Sequence, residues 1–416
     1  MTAHTSWLQK IRCPDCQTHL TITFSQDTFH IATCSCSEYP VIDNILILKK
    51  QQYIKKSIKD IRQKKTRTAL LRVIELGASA PRRALVKATR VASRITDPFF
   101  DRLREIIAPP YINNQPLSKA IAVWKDWGTY NQYRLISHSW NAAVPLLHFI
   151  ARETKKTDTV IDLGCGWGYS LWYIHNINST ANLFGIDAHF VNLYFAKKYI
   201  CPQANYICTD ANQTLPLATN SVKTAYSSDA FHYVKKQEEL VKEMKRVLSP
   251  GGLLIVSHIH NKRVNNPGQG FAHTLKEYEK LFGNKSIILS EDKLIKDYAE
   301  HNLLDVTRQT ASENNKAFAI ILTKKKLLAK YKDLLQHVHY PLSINPLWHF
   351  TRDGFERKTP QIYLQDTEAP QITTKTFEKI RLSKTTKNIF FKLVQKGILI
   401  STPKNFDLYK NFIQEK

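Results

Sequence analysis

The chain has 416 residues, of which 43% are apolar and 23% are charged, and it carries a formal net charge of +25. This length exceeds one ordinary hydrophobic core, so we expect two or more domains, and the apolar content excludes a disordered chain. No apolar run approaches the roughly 18 residues of a membrane span, and the first residues hold no apolar signal core. The sequence therefore predicts a folded, cytoplasmic protein with no transmembrane segment.

Four of the seven cysteines lie close together near the N-terminus, in the stretches CPDC and CSC. Their spacing is typical of a tetrahedral thiolate zinc site, which is structural because it leaves no open position for catalysis. The alternative is a ribbon fold that has lost its metal and is held by its apolar residues. We predict a zinc-ribbon-like module over residues 1–48, with the candidate ligands Cys13, Cys16, Cys34 and Cys36.

The following segment, residues 49–130, is basic and shows helical periodicity in parts. Residues 49–105 contain 17 Lys or Arg and 5 Asp or Glu, a net charge of +12. Such a segment attracts nucleic acid, anionic lipid or an acidic substrate, although a solvated helical face is the simpler explanation. Prolines divide the segment into pieces, so we predict a basic helical linker or cap.

From about residue 131, patterns of buried strands alternate with helical patterns. The strand patterns are TVIDLGCG, ANLFGID, ANYICTDA, SVKTAYSSDA and LLIVSHIH. This alternation predicts the α/β class, with a doubly wound sheet over residues 131–326. We expect LLDVTRQTA and KAFAIILTKK to form a closing antiparallel pair. For residues 327–416 we predict a C-terminal α+β accessory region, because helix and strand signals are mixed there, as in TTKNIFFKLVQKGILIST.

Three glycines follow the first of these strands, in VIDLGCGWGYS. A dinucleotide fingerprint needs a glycine where this sequence has Tyr169, so the spacing argues against a dinucleotide. The loop leaves a strand and enters a helix, which directs backbone amides towards a ligand. Asp162, two residues before the first glycine, suits a ligand that carries an ammonium group.

Two further acids end the next strands, Asp187 in LFGID and Asp210 in YICTDA. A carboxylate at Asp187 can accept hydrogen bonds from both hydroxyls of a ribose, and one at Asp210 can meet the amine of an adenine. Each acid alone is typical of a helix cap or a turn. Three acids at successive strand ends beside a glycine loop indicate a nucleoside site.

These motifs resemble those of the class I S-adenosylmethionine-dependent methyltransferases, and SSDAFHYVKKQEELVKEMKRVLSPGGLLIVS is similar to their quinone-biosynthesis-like branch. The resemblance covers about residues 131–325. It implies a seven-stranded Rossmann-like sheet with an antiparallel last strand, and S-adenosyl-L-methionine as cofactor. The cofactor contacts that it implies are Asp162, Gly164, Cys165, Gly166, Gly168, Asp187, Ala188, Asp210, Ala211, Asn212 and Ser228.

The N-terminal module resembles the zinc-ribbon proteins that partner tRNA and protein methyltransferases, with EYPVIDNILIL matching their closing stretch. It departs from them because C-x-C stands where a second C-x-x-C is usual.

The reaction that the resemblance implies is direct displacement of a methyl group from a sulfonium. It requires alignment of the acceptor, exclusion of water and, for some acceptors, removal of a proton. Histidine titrates near neutral pH, which suits it to this last task. The catalytic candidates, for each of which a packing role is the alternative, are Asp229, His232, Tyr233, His258 and His260.

We interpret the chain as a methyltransferase that acts on a small molecule or on a carrier- or glycan-linked metabolite. The alternative is an RNA methyltransferase, for rRNA or tRNA, in which the zinc ribbon and the basic segment bind RNA. No aromatic-interleaved basic motif of an RNA-binding module is visible, and SSDA stands in place of an Asn-Pro-Pro-aromatic box. A cofactor-binding scaffold without activity is the third possibility.

Overall fold

The computed structural model describes residues 3–74, 117, 131, 134–137, 143–266, 268, 270–323, 330–332, 342–345, 347–351, 354–357, 393–394 and 397–403. Most of the predicted basic segment beyond residue 74 and most of the predicted C-terminal region therefore lie outside the described residues. Among the described residues, no helix is long and apolar enough to cross a membrane.

The centre of the protein is a mixed sheet with helices on both faces, as the alternation of strand and helix patterns predicted. Seven strands form its methyltransferase-like part: β5 (Thr159–Leu163), β6 (Asn182–Asp187), β7 (Asn205–Cys208), β8 (Val222–Ser228), β9 (Leu248–His260), β10 (Ser286–Ser290) and β12 (Ala317–Thr323). Their spatial order is β7-β6-β5-β8-β9-β12-β10, with the first five strands parallel. The order reverses between β5 and β8, which is where open α/β sheets bind their ligands.

Four N-terminal strands extend this sheet to eleven. They are β1 (Thr21–Gln26), β2 (Phe29–Thr33), β3 (Glu38–Ile42) and β4 (Ile45–Ile47), each antiparallel to the next. β4 then pairs in parallel with β7, with Leu46 opposite Ile207. The zinc-ribbon-like module is therefore continuous with the main sheet, although the domain boundaries given above stay predictions.

The helices divide between the two faces of the sheet. They are α1 (Gln52–Arg62), α2 (Thr66–Val73), α3 (Ala143–Glu153), α4 (Tyr169–Ile177), α5 (Phe190–Phe195), α6 (Gln237–Val247), α7 (Leu275–Phe282) and α8 (Glu291–His301). One hydrophobic core lies beneath α1–α5 and α8, and the other lies beneath α6 and α7. Successive strand residues supply opposite cores, as with Val160 and Ile161, because side chains alternate along a strand.

The prediction of the closing antiparallel pair was wrong in one partner. β12, from KAFAIILTKK, is antiparallel to both of its neighbours, but these are β9 and, from the stretch KSIILSED, β10. In LLDVTRQTA only β11 (Leu303–Asp305) is a strand, and it pairs with β13 (Lys330–Lys332). The apolar run of β10 is only three residues long, and Ser290 ends it by capping α8, so the run gave little sequence signal.

Short strands represent the C-terminal region among the described residues. β14 (Leu342–Ile344) pairs with β17 (Leu399–Ser401), and β15 (Trp348–Thr351) pairs with β16 (Gly354–Arg357). The fully buried Asn345 donates from Nδ2 to the carbonyl oxygens of Ile136 (2.6 Å) and Gly397 (2.8 Å). This side chain ties the C-terminal strands to the segment that precedes α3.

Candidate active site

A cavity of about 690 Å³ lies at the carboxyl ends of β5, β6, β7 and β8. Its other walls come from Asn131, Arg134, α3, the start of α4 and, from the C-terminal region, Ser401. The sequence-predicted residues that line it are Asp162, Gly164, Cys165, Gly166, Asp187, Ala188, Asp210, Ala211, Asn212, Ser228, Asp229 and Tyr233. The structure thus brings the motifs of four strand ends together around one space.

The glycine loop between β5 and α4 depends on left-handed backbone at its three glycines. Gly164, Gly166 and Gly168 have φ values of +73°, +52° and +75°. A Cβ at Gly164 would lie 2.3 Å from the Cβ of Ala230, so only glycine fits there. Gly168 does not line the cavity: it precedes α4 and lets this helix pack close to Tyr206. Its function in this structure is therefore helix packing.

Asp162 is the penultimate residue of β5, just before this loop, and is only 2% exposed. Its burial, together with the neighbouring carboxylate of Asp187, raises its pKa to about 7, although a hydrogen bond from Ser170 opposes the shift. A buried carboxylate of this kind is costly to ionise without a cation beside it. The site therefore favours a positively charged group next to Asp162.

Asp187, at the end of β6, has a structural task in addition to the one predicted. Its Oδ2 accepts from the backbone amide of Gly166 (3.0 Å), and its Oδ1 accepts from the amide of His189 (2.7 Å) and from Nδ2 of Asn192 (3.3 Å). Burial raises its pKa, and the hydrogen bonds oppose this shift. The carboxylate thus holds the glycine loop in place and keeps acceptor capacity towards the cavity, because two oxygens offer about four lone pairs.

The far end of the cavity is more open. Oδ1 of Asp210 accepts from the backbone amide (2.9 Å) and side-chain amide (2.8 Å) of Asn212. Oδ1 of Asn212 in turn accepts from the amides of Lys235 and Lys236, at 2.9 Å each. This network joins the turn after β7 to the start of α6, and it fixes the position of Asn212 at this side of the cavity.

Elsewhere in the lining of the cavity, Asp229 lies near two of the predicted bases. Its Oδ1 lies 3.9 Å from Nε2 of His232 and 3.8 Å from Nε2 of His258, and its Oδ2 lies 3.8 Å from Nη2 of Arg134. Tyr233 also lines the cavity, and the residue is 57% exposed. Neither histidine lines the cavity, so Asp229 stands between them and any bound molecule.

His258 is held as a cation rather than as a base. Its Nδ1 lies 2.8 Å from Oε1 of Glu291, the first residue of α8. Burial on its own would lower the pKa of His258, but the carboxylates of Glu291 and Asp229 reverse this effect and raise the pKa to about 10. At neutral pH the imidazole is therefore protonated and donates hydrogen bonds. The sequence prediction missed Glu291, because nothing in its local sequence links it to β9.

The ligand atoms of Asp229, His232 and His260 lie within 4.8 Å of one another, close enough to hold a metal ion. The hydrogen bonds of His260 argue against this use. Oδ1 of Asn266 accepts from the amide of Gly268 (2.8 Å), so its Nδ2 donates to Nδ1 of His260 (2.9 Å). Neutral His260 then carries its proton on Nε2 and has no lone pair left for an ion.

The four N-terminal cysteines come together as predicted. The Sγ of Cys36 lies 3.6 Å from the Sγ atoms of Cys13 and Cys34, and all four sulfurs lie within 4.8 Å of one another. Tetrahedral zinc with bonds of about 2.3 Å needs sulfurs about 3.8 Å apart, so the C-x-C half-site fits the metal. Hydrogen bonds from Ser35 and Thr18 lower the pKa of Cys16 to about 5, which suits a thiolate ligand.

Part of the chain that carries the predicted methyltransferase motifs matches a known protein family. Residues 161–256 match the family described as "Methyltransferase domain". The malonyl-[acyl-carrier protein] O-methyltransferase of Marinomonas sp. is 32% identical over 106 residues, which are 25% of this chain and 38% of that protein. The trans-aconitate 2-methyltransferase of Variovorax paradoxus is 30% identical over 119 residues, which are 28% of this chain and 45% of that protein.

Among solved structures, an S-adenosylmethionine-dependent methyltransferase from Mesorhizobium loti is 30% identical, with a TM-score of 0.26. The match covers 29% of this chain and 53% of that one. The chain thus spans less than half the length of either curated relative described above. Over residues 161–256, the family match confirms the predicted resemblance to a methyltransferase domain.

Proposed function

We propose that this protein is an S-adenosylmethionine-dependent methyltransferase whose acceptor is a small molecule or a carrier-linked metabolite. The observation that supports this most is the set of three carboxylates, Asp162, Asp187 and Asp210, around one cavity beside the glycine loop. The names of the malonyl-[acyl-carrier protein] and trans-aconitate enzymes specify one carrier-linked and one small-molecule acceptor, which favours an acceptor of this size and linkage.

The residues of the cavity fit the cofactor in charge and in shape. Asp162, with its pKa near 7, is positioned to pair with an amino group, which keeps the carboxylate ionised. We assign Asp187 to the ribose hydroxyls, Asp210 to the adenine amine, and Ala211 and Asn212 to the ring beside it. The glycine loop with Cys165, together with Ala188 and Ser228, would complete the cofactor contacts, while Gly168 supports α4.

When bound, the cofactor supplies a methyl group on a sulfonium, which a nucleophile displaces directly. Asp229 and Tyr233 are the predicted catalytic residues that face the space beyond the cofactor half of the cavity. His232 and His258 lie behind Asp229 and act through it. Arg134, Trp172 and Tyr173 also line the cavity. Their side chains would help to exclude water from the reacting atoms.

We propose a structural zinc ion for the four-cysteine cluster. The sulfur separations fit a tetrahedral ion, and the thiols cannot all ionise without one. The pKa of Cys36 is raised, mainly by the hydrogen bond between its thiol and the sulfur of Cys16. In the absence of a cation, each thiolate therefore makes ionisation of its neighbour less favourable. The metal would stabilise the module and take no part in methyl transfer.

The experiment that tests the function uses methyl-labelled S-adenosylmethionine and a fractionated cell extract. We expect wild-type protein to transfer label to the low-mass or carrier-linked fraction, and the Asp162→Asn variant to transfer none because it cannot hold the cofactor. An exposed control, Asp292→Asn on α8, should behave as the wild type does. No cofactor binding by the wild type would contradict the proposal.

An RNA methyltransferase is the second candidate, and the surface of α1 and α2 favours it. These helices and the turn between them expose a group of cations: Lys55, Lys59, Arg62, Lys64, Lys65 and Arg67. A basic surface of this kind can contact phosphates. Label recovered in ribosomal or transfer RNA in the same experiment, with binding that weakens steeply as salt rises, would favour this candidate over the first.

A further inference from the structure

Two strained residues lie side by side at the acceptor end of the cavity. Asp229 and His258 have φ values of +53° and +52°, a region that residues with a side chain rarely adopt. They follow paired residues of β8 and β9, Ser228 and Ser257, and the amide of Asp229 donates to the carbonyl of Ser257 (3.0 Å). Such backbone conformations gather at functional sites. Here they turn the two side chains towards each other.

A third residue completes a line of charges. Glu291 lies at the start of α8, where the side chain of Ser290 caps the helix, and only 9% of its side chain is exposed. Its carboxylate contacts Nδ1 of His258 at 2.8 Å and 3.1 Å, while Nε2 of the same ring faces Asp229 at 3.8 Å. The imidazole therefore bridges a buried carboxylate and a carboxylate that lines the cavity.

The groups around this line balance its charge. Asp229 faces Arg134 from the segment before α3, His232 from the short helix after β8 and His258 from β9. Apart from its two carboxylate neighbours, His258 packs edge-on against His260, at a ring distance of 5.1 Å. Arg134 and His258 face the carboxylates of Asp229 and Glu291, so neither carboxylate is an isolated buried group.

We propose that Asp229 accepts the proton of the methyl acceptor and that Glu291 is a positioning residue that holds Asp229 through His258. This inference rests on the methyltransferase function proposed above. It identifies the acceptor group as one that must lose a proton, a hydroxyl or an acidic carbon. A carboxylate acceptor needs no base, and it would face the like charge of Asp229 across the cavity.

The proposed step is balanced in atoms and electrons. The acceptor's X–H bond breaks, the proton moves to a carboxylate oxygen of Asp229, and the freed electron pair forms the new X–C bond to the methyl carbon. The electron pair of the broken C–S bond stays on the sulfur, which leaves as a neutral thioether. The separations of 3.8–3.9 Å around Asp229 are long for hydrogen bonds, and such contacts tighten once substrates bind.

The first test needs no substrate. Imidazole NMR of the isolated protein follows the titration of His258, assigned with a His258→Gln variant. In wild-type protein the ring should stay protonated up to a pH of about 10. In Glu291→Gln its pKa should fall by at least about two pH units, whereas in the exposed control Asp292→Asn it should not move. An unchanged pKa in Glu291→Gln would overturn the positioning role.

The second test uses the acceptor fraction found with labelled cofactor. Asp229→Asn should lower kcat by about 100-fold or more while the Kd for S-adenosylhomocysteine changes less than about threefold. Glu291→Gln should lower kcat at least about tenfold and alter the pH profile, and Glu291→Asp should restore part of the rate. Absence of transfer by the wild type overturns the proposed function and this inference with it. Normal wild-type transfer with an unaffected Asp229→Asn variant overturns this inference alone, as does an acceptor that proves to be a carboxylate.

Discussion

Replacing Asp162 with asparagine should make the protein more stable and, at the same time, weaken its binding of S-adenosylhomocysteine. Burial raises the pKa of this carboxyl from its ordinary 3.8 to about 7. The folded protein therefore holds the proton more tightly than the unfolded chain, and stability falls as pH rises from about 4 to about 7. Since one pH unit corresponds to about 1.4 kcal/mol, ionised Asp162 lowers the unfolding free energy by about 4 kcal/mol at pH 8.

Asparagine keeps the shape of the side chain and removes this cost. At pH 8 the Asp162→Asn variant should gain stability, up to about 4 kcal/mol, and it should lose most of the decline that the wild type shows between pH 5 and pH 8. Its affinity for S-adenosylhomocysteine should fall at least about 30-fold, because the amino group of the ligand then lacks its carboxylate partner.

The assays are urea unfolding followed by circular dichroism at both pH values, and calorimetric titration with S-adenosylhomocysteine. The cofactor product should stabilise the wild type and leave the variant unchanged. The reasoning is refuted if Asp162→Asn is less stable than the wild type at pH 8, or if it binds the ligand within about threefold of wild-type affinity.

Three further outcomes are expected. Gly164→Ala should abolish cofactor binding and cost about 1–3 kcal/mol of stability, because the new Cβ would lie 2.3 Å from the Cβ of Ala230. Calorimetric titration with S-adenosylhomocysteine and thermal unfolding check this, and an unchanged Kd for that ligand would contradict it. Metal analysis should find about one zinc per chain, Cys36→Ser should reduce it, and less than about 0.2 per wild-type chain would exclude the site. Arg72→Ala should cost about 3–5 kcal/mol, because it leaves the buried Asp60 without its ion-pair partner; an unchanged melting temperature would contradict this.

The meeting of the three acids at one cavity was predictable because the signals for it are local in sequence. Each acid lies at or within two residues of the end of its own strand, and parallel strands bring their carboxyl ends to one edge. Asp162, Asp187 and Asp210 therefore meet without any knowledge of long-range packing. Sequence spacing did not reveal the surroundings of Gly168. A Cβ at this position would lie 3.0 Å from the hydroxyl of Tyr206, which comes from another strand.

The acceptor half was predictable only in part, because its contacts come from distant segments. Asp229 and His258 were candidates from their strand ends, but the ionic state of His258 depends on Glu291, 33 residues later. The pairing of β10 with β12 was missed for a related reason: a strand with only three apolar residues is specified by its partner more than by its own pattern. Arg134 and Ser401 carry no motif at all.

The parallel pairing of β4 with β7 has a consequence for the order in which the chain folds. β4 is complete by residue 47, but its partner, Tyr206 to Cys208, is made about 160 residues later. At a synthesis rate of about 5–20 residues per second, the N-terminal hairpins wait roughly 8–30 seconds for that strand. Until then β4 has no partner strand on the side that later pairs with β7. In the same way, β7 is an open edge of the central sheet until β4 pairs with it. The module is thus made well before the strand with which it pairs, and its own cohesion must persist until β7 has formed.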